Sequence, residues 1–283
     1  DLKHAINAGS VPGPRLWVSA RGLSTPGRYE PFEASWELSL PTGAQFVVGE
    51  QEARAAVREH IAHGADWIKV YADFFPLSLD ANGEIRGLLN FTDQELQTIV
   101  SEAHRLGHKV AAHAISRDGI AQALGAGVDS LEHAHGLSAD LAERARANGV
   151  FVVPTLFAES AVVTGAPPEL RAVFERGYVN LAQAFRTGVK MAFGSDSGCV
   201  PWSENAAAGF AMYVERLGMS PAQALQAATT SAAELLGEAG ALGQLTAGAL
   251  ADAIAVRGDP LRDARALQEV TFVMKAGAIV RAP

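Results

Sequence analysis

KVAAHA (residues 109–114), RDGIAQAL (117–124) and VDSLEH (128–133) follow one another with only short breaks, and their order decides how the chain folds. The two outer runs are short, the first largely apolar and the second built around Val128 and Leu131, which predicts strands, and the middle run carries a helical pattern. A strand, a crossover helix and a second strand make a parallel pair, because parallel strands cannot be joined by a tight hairpin. Both strands carry a histidine at or next to their carboxyl end, His113 and His133.

The same alternation extends in both directions. Upstream, residues 50–63 predict a helix and 66–72 a strand. Thr92 then opens a helix with Glu95 three residues on, the signature of a capping box. Leu96, Ile99, Val100, Ala103 and Leu106 line one face of that helix, and Gly107 ends it. Before these, residues 2–8 predict a helix stopped by Gly9, and Pro12-Gly13-Pro14 launches an expected strand over 15–20. Residues 21–47 are rich in Gly, Pro, Ser and aromatics without periodicity and predict a long functional loop. Downstream come a helix at 139–147, a strand at 150–156, a long helix at 168–187 and a strand at 189–194. A helix after Ser203 and another capped by Ser220, with Pro221 at its first position, complete the pattern. Six strand-and-helix units in succession specify an α/β fold, either a doubly wound sheet or a (β/α)8 barrel, of which six units are two short. After Gly237 the texture changes to turns, a short strand at 253–256 and a hairpin over 270–281 turning at Ala276-Gly277. The expected division is therefore a main domain at 1–237 and a small β appendage at 238–283.

Composition limits the function. Hydrophobic residues make up 48% and charged residues 19% of the 283, which excludes intrinsic disorder. With 31 acidic and 23 basic residues the net charge is −8, a surface that repels phosphate backbones, so no nucleic-acid partner is expected. The longest apolar runs, such as 149–157, stop well short of the roughly 18 residues a bilayer needs, so no membrane span is expected. Cys199, the one cysteine, cannot close an internal disulfide or build a thiolate cluster; a reducing, cytoplasmic setting is the expectation. The chain opens Asp1-Leu2-Lys3-His4 without an initiator methionine, which reads as a fragment or a processed product.

Four polar residues fall at or just past the carboxyl ends of separate expected strands, the active-site rim of a parallel barrel: Lys69, His113, His133 and Asp196. In Trp67-Ile68-Lys69-Val70-Tyr71, alternation puts Trp67, Lys69 and Tyr71 on one face. Lys69 is then either a surface lysine on an edge strand or an inward one that must be paired or lose its charge. Reaction with carbon dioxide would achieve the latter, giving a carbamate able to bridge two cations. His113 and His133 are each a hydrogen-bonded core histidine or a metal ligand, and two consecutive strands ending in histidine favour the ligand reading. Asp196, in Gly194-Ser195-Asp196-Ser197, closes an Asx turn or binds a metal and takes a proton from water. Tyr71 and His135 are secondary candidates for touching substrate; Tyr71 has packing as its alternative, and His135 shares a face with His133 only if the strand continues. His4, His60, His63, His104 and His108, with Glu95 and Glu102, read as polar helix positions or caps.

Taken in order, Trp67-Ile68-Lys69-Val70, Ala111-Ala112-His113-Ala114, Leu131-Glu132-His133-Ala134 and Gly194-Ser195-Asp196-Ser197 resemble strands four, five, six and eight of the amidohydrolase superfamily. Ala5-Ile6-Asn7-Ala8-Gly9 with Pro12-Gly13-Pro14-Arg15 resembles the approach to strand three in its prolidase-like and imidazolonepropionase-like branch. Gly243-Gln244-Leu245, Gly248-Ala249-Leu250-Ala251-Asp252 and Asp259-Pro260-Leu261 resemble that branch's return into its β-sandwich. The resemblance implies a TIM barrel holding strands three to eight, with part of a β-sandwich at the C-terminus. It further implies carboxylated Lys69 bridging two divalent ions, zinc being favoured, with His113 and His133 on one. Asp196 would sit on the other and act as general base for metal-activated water. The family's strand-one His-x-His has no counterpart here. Strands one and two, with the leading half of the sandwich, are therefore expected from an upstream segment or a companion chain; a homo-oligomer is also compatible.

The function implied is a metal-dependent amide hydrolase cleaving a dipeptide or N-acyl amino acid, in the manner of an Xaa-Pro dipeptidase or carboxypeptidase. Two alternatives are an imidazolonepropionase-like hydrolase of cyclic amides and a non-catalytic barrel scaffold. The loop from Arg21 to Phe46 and the segment after Asp196, including Trp202, are expected to shape the substrate pocket.

Overall fold

The computed structural model describes residues 1–29, 35, 37 and 42–282. The chain forms two compact units, Asp1–Val150 and Phe151–Pro283.

The first unit runs α1 (Leu2–Asn7), β1 (Gly22–Ser24), β2 (Ala44–Phe46), α2 (Gly49–Ala62), β3 (Trp67–Tyr71), β4 (Asp73–Leu79), β5 (Ile85–Leu89), α3 (Asp93–Arg105), β6 (Lys109–Ala114), α4 (Arg117–Ala126), β7 (Ser130–His133) and α5 (Ala139–Asn148). β2, β1, β3, β6 and β7 lie side by side and all pair in parallel, as strands joined by crossover helices must. The apolar stripe of α3 behaves as its spacing predicts: Leu96, Ile99, Val100 and Ala103 are buried. Thr92 and Glu95 form the reciprocal capping box, and Glu95 also accepts from Gly49 N at 2.7 Å, tying the start of α2 to α3.

Three features of this unit differ from the sequence reading. Residues 15–20 make no ladder. They are held instead at one point, where Val18 N donates to Asp66 Oδ2 at 2.8 Å and Val18 O accepts from Asp66 N at 2.7 Å. The expected long loop over 21–47 contains β1, fully buried, and β2; its residues 30–34, 36 and 38–41 lie outside the described residues. Residues 73–89 fold into the antiparallel hairpin β4–β5. Its tip is an Asx turn in which Asp80 Oδ1 accepts from Asn82 N and Glu84 N at 2.8 and 3.0 Å, a signal that hydrophobic periodicity passes over.

The second unit runs β8 (Phe151–Val153), α6 (Leu156–Val163), α7 (Pro168–Arg186), α8 (Gly209–Leu217), α9 (Pro221–Ala228), α10 (Thr230–Leu236), β9 (Ala253–Val256), β10 (Val270–Lys275) and β11 (Ala278–Arg281). The strand expected at 150–156 is shortened by α6. The one expected at 189–194 is reduced to a single parallel bridge between Met191 and Val152. Ser220 and Gln223 form the capping box of α9 with Pro221 at its first position. β9, β10 and β11 form a three-stranded antiparallel sheet, and the β10–β11 hairpin turns at Ala276 (φ 49°) and Gly277 (φ 82°), the left-handed pair its sequence foretells.

Candidate active site

In β3, Ile68 and Val70 are fully buried on one face and Trp67, Lys69 and Tyr71 are half-buried on the other. The parallel register sets Lys69 beside Ala111 and Tyr71 beside His113, so these four share a face. On the next strand His113 pairs with Glu132, and Ala114 with His133. Strict alternation would therefore put Glu132, not His133, beside His113. Ser130 Oγ donates to Glu132 Oε1 at 2.7 Å, in keeping with that periodicity. β7 stops at His133, where the backbone turns left-handed at His133 (φ 70°) and Ala134 (φ 56°). Past this turn the His113 and His133 rings lie 4.6 Å apart, centroid to centroid, inclined at 70°.

Burial pushes the pKa of both rings well below 6.5. For His113 the Lys69 charge and His135 add to the effect; for His133, His113, Lys69 and His135 do so in turn. Both imidazoles are thus neutral near pH 7, the form that ligates a metal. His113 Nε2 is buried without a hydrogen-bond partner, 3.9 Å from Asp73 Oδ1. His135 is fully buried, and its electrostatic influence on both rings places it in the same neighbourhood. Tyr71 belongs to an aromatic group: its ring lies 4.5 Å from that of Tyr29, 5.3 Å from His113 and 6.3 Å from Phe74, with Lys69 Nζ 5.7 Å from its centroid.

Asp196 belongs to the second unit. Tyr213, fully buried, donates its hydroxyl to Ala192 O at 3.3 Å and accepts from Gly194 N at 3.4 Å, fixing the backbone that leads to it. Gly194 is required there, since a Cβ would stand 2.4 Å from Val153 Cγ1. Asp196 itself is left-handed (φ 50°), as is Thr155 (φ 54°) just past β8. Left-handed residues other than glycine are uncommon; Thr155 takes this conformation two residues past the end of β8. Trp202 is 91% exposed.

Local sequence patterns misassign two side chains and miss a third. Glu102 is not a solvated helix position: it is buried and accepts from Arg54 on α2 at 3.2 Å, Arg58 at 2.6 Å and Arg105 at 2.7 Å. His60 is buried against Gln45 Oε1 at 2.7 Å. Asp73, which no sequence pattern singled out, is fully buried, and burial pushes its pKa up to about 6 against hydrogen bonds from Ser116 and Ile115 that pull it down. Its position two residues beyond Tyr71, in step with Lys69, was the available signal.

The donor chemistry fits a divalent metal at His113 and His133, two neutral imidazoles, the first buried with its Nε2 unpartnered and the second half-buried. Among the described residues, no group of three His, Cys, Asp or Glu side chains gathers for a metal.

The amidohydrolase family matches residues 1–280. The chain belongs to that family. Members generally use divalent metals. The ochratoxinase of Aspergillus niger is 32% identical over the whole of this chain, which spans 63% of that protein's length. Its crystal structure superimposes with a TM-score of 0.87 at 30% identity, covering 99% of this chain and 69% of the other. A Xaa-Pro dipeptidase with methionine bound in its active site gives 0.87 at 32% identity, covering 99% of this chain and 71% of the other. A prolidase complexed with N-methylphosphonate-L-proline gives 0.87 at 31% identity, covering 100% and 73%. Among the described residues no helix is long and apolar enough to cross a membrane.

Proposed function

We propose that the protein is a metal-dependent amide hydrolase acting on a small substrate, a dipeptide of the Xaa-Pro kind or an N-acyl amino acid, and releasing its C-terminal residue. One observation carries this reading: two imidazoles at the ends of adjacent parallel strands, their rings 4.6 Å apart, with Lys69 near enough to act on both. Likeness to a Xaa-Pro dipeptidase and to ochratoxinase supports the choice of substrate.

In this reading His113 and His133 hold one of two divalent ions, zinc being favoured by nitrogen and oxygen ligands. Lys69, as a carbamate, would supply oxygen ligands beside them. Its neutral amine nitrogen bonds to the carbon of carbon dioxide and releases one proton, which turns a non-ligand into a two-oxygen donor. The ions, when bound, acidify water and polarise the scissile carbonyl. Asp196, assigned on the resemblance of Gly194-Ser195-Asp196-Ser197, is a ligand and the general base. Its carboxylate takes a proton from the attacking water and passes it to the amide nitrogen as the carbon–nitrogen bond breaks. Tyr71, set beside His113, faces the substrate side.

The test is metal content and turnover of the full-length protein on a panel of Xaa-Pro dipeptides and N-acyl amino acids. Lys69→Ala and Asp196→Asn are expected to abolish hydrolysis while far-ultraviolet circular dichroism stays native. Turnover retained by metal-replete Asp196→Asn overturns the assignment of the base, and a metal-replete wild type that cleaves nothing on the panel overturns the reading.

A further inference from the structure

We propose that Asp73 is a positioning residue for His113, holding the end of β6 so that the imidazole is presented as a metal ligand. This inference rests on the reading of His113 as a ligand given above. Asp73 is fully buried and opens β4, two residues past the end of β3, the strand paired with the one that carries His113. Both its oxygens engage the first residues past β6. Ile115 N donates to Oδ1 at 2.9 Å and to Oδ2 at 3.1 Å, Ser116 N donates to Oδ2 at 2.7 Å, and Ser116 Oγ donates to Oδ2 at 2.5 Å. Oδ1 stands 3.9 Å from His113 Nε2, too far for a hydrogen bond, so the carboxylate acts through the backbone it grips.

The same peptide is gripped from the opposite side. Ala134 N donates to Ala114 O at 3.1 Å and Gly136 N to Ile115 O at 2.7 Å, which ties the residues just past His133 to those just past His113. A Cβ on Gly136 would stand 2.4 Å from Arg117 N, so the approach of the two turns is as close as a backbone permits. Asp73 is itself anchored at its root, where Asn90 N donates to Ala72 O at 2.9 Å and Asn90 Nδ2 to Tyr71 O at 2.8 Å. Strand β3, the end of β6 and the turn after His133 are thereby one unit, with the Asp73 carboxylate at its centre.

A carboxylate suits the role and an amide does not. Two backbone N–H groups and a hydroxyl converge on it, and an amide, with one acceptor oxygen, would turn its NH2 toward at least one of those donors. Removing a group hydrogen-bonded directly to a metal-ligating histidine typically weakens metal affinity about 10–100-fold, and a support that acts through the backbone falls at the lower end of that range.

The experiment titrates zinc against a chromophoric chelator in metal-stripped full-length wild type, Asp73→Asn and Ser116→Ala, with circular dichroism establishing that each is folded. Asp73→Asn is expected to bind zinc at least about 10-fold more weakly, and Ser116→Ala, which removes a single donor, at least about threefold. Folded Asp73→Asn within threefold of wild type overturns the inference and leaves the hydrolase reading standing. If Asp73→Asn does not fold, Ser116→Ala decides: unchanged affinity overturns the inference. A wild type that takes up no zinc overturns both.

Discussion

Gly119→Ala is a substitution whose usual sign should invert. Gly119 lies in the first turn of α4, where alanine would ordinarily stabilise a helix by up to about 1 kcal/mol over glycine. Here a Cβ would stand 2.1 Å from Asp73 Oδ2, 2.6 Å from its Cγ and 2.9 Å from its Cβ. The carboxylate cannot swing aside cheaply, because it is fully buried and the N–H groups of Ile115 and Ser116 depend on it. Overpacking of this kind costs about 1–3 kcal/mol. Leaving one buried donor unsatisfied adds about 1–3 kcal/mol. Set against the helix gain, the net is a loss centred near 3 kcal/mol, or about 6–12 °C in Tm for a chain of this size. Gly125, six residues along the same helix, is the internal control, since its Cβ would meet only Arg144 Nη2 at 3.5 Å, an ordinary contact. Gly125→Ala should therefore be neutral or gain up to about 1 kcal/mol. The assay is urea unfolding followed by circular dichroism on both variants in the metal-stripped protein. If both shift stability upward, the packing argument for Asp73 is refuted, because only a crowded Asp73 gives the two glycines opposite signs.

Two further outcomes can be measured on the same material. Tyr213→Phe removes the hydroxyl that bonds Ala192 O and Gly194 N and should cost about 1–3 kcal/mol in urea unfolding, since it leaves that buried carbonyl without its donor; an unchanged midpoint refutes the anchoring role. Arg105 and Arg58 hold the Glu102 carboxyl well below its ordinary 4.5, against the opposing effect of burial. A depressed folded-state pKa gives stability that is present above about 4.5 and lost as pH falls below it. Glu102→Gln should accordingly be less stable than wild type at pH 7, with the difference narrowing on acidification; a constant difference from pH 7 to pH 3 refutes the assignment.

The parts of the fold legible from sequence are those whose partner is encoded by the element itself. β6 spans the six residues its apolar run marks, and the capping boxes at Thr92 and Ser220 lie where their spacing puts them. A capping box is satisfied within four residues, so nothing distant can overrule it. Glu102 and His60 fail for the opposite reason. Glu102 lies on α3 and finds two of its three arginines on α2, while His60 finds Gln45 on the segment before α2. Neither partner leaves a mark on the helix that carries the misread residue. The hairpin over 73–89 hid in the same way, because its register is set by an Asx turn and not by an amphipathic period, and Asp73 went unread with it.

The candidate site divides along the same line. Lys69 and His113 follow from strand alternation, since each lies on the face opposite residues that are fully buried. His133 does not. Extended backbone through residue 133 would keep its ring on the side of Ala114 and leave Glu132 facing His113. The ring comes within 4.6 Å of His113 at a point where the strand stops and two successive residues turn left-handed. Each such residue costs on the order of 1–3 kcal/mol, which the surrounding structure must over-determine. The bonds from Ala134 N to Ala114 O and from Gly136 N to Ile115 O, with Asp73 behind them, supply that constraint. The pairing of the two histidines is thus encoded in how β7 ends, in contacts made by residues 134–136, and no periodicity within the strand carries it.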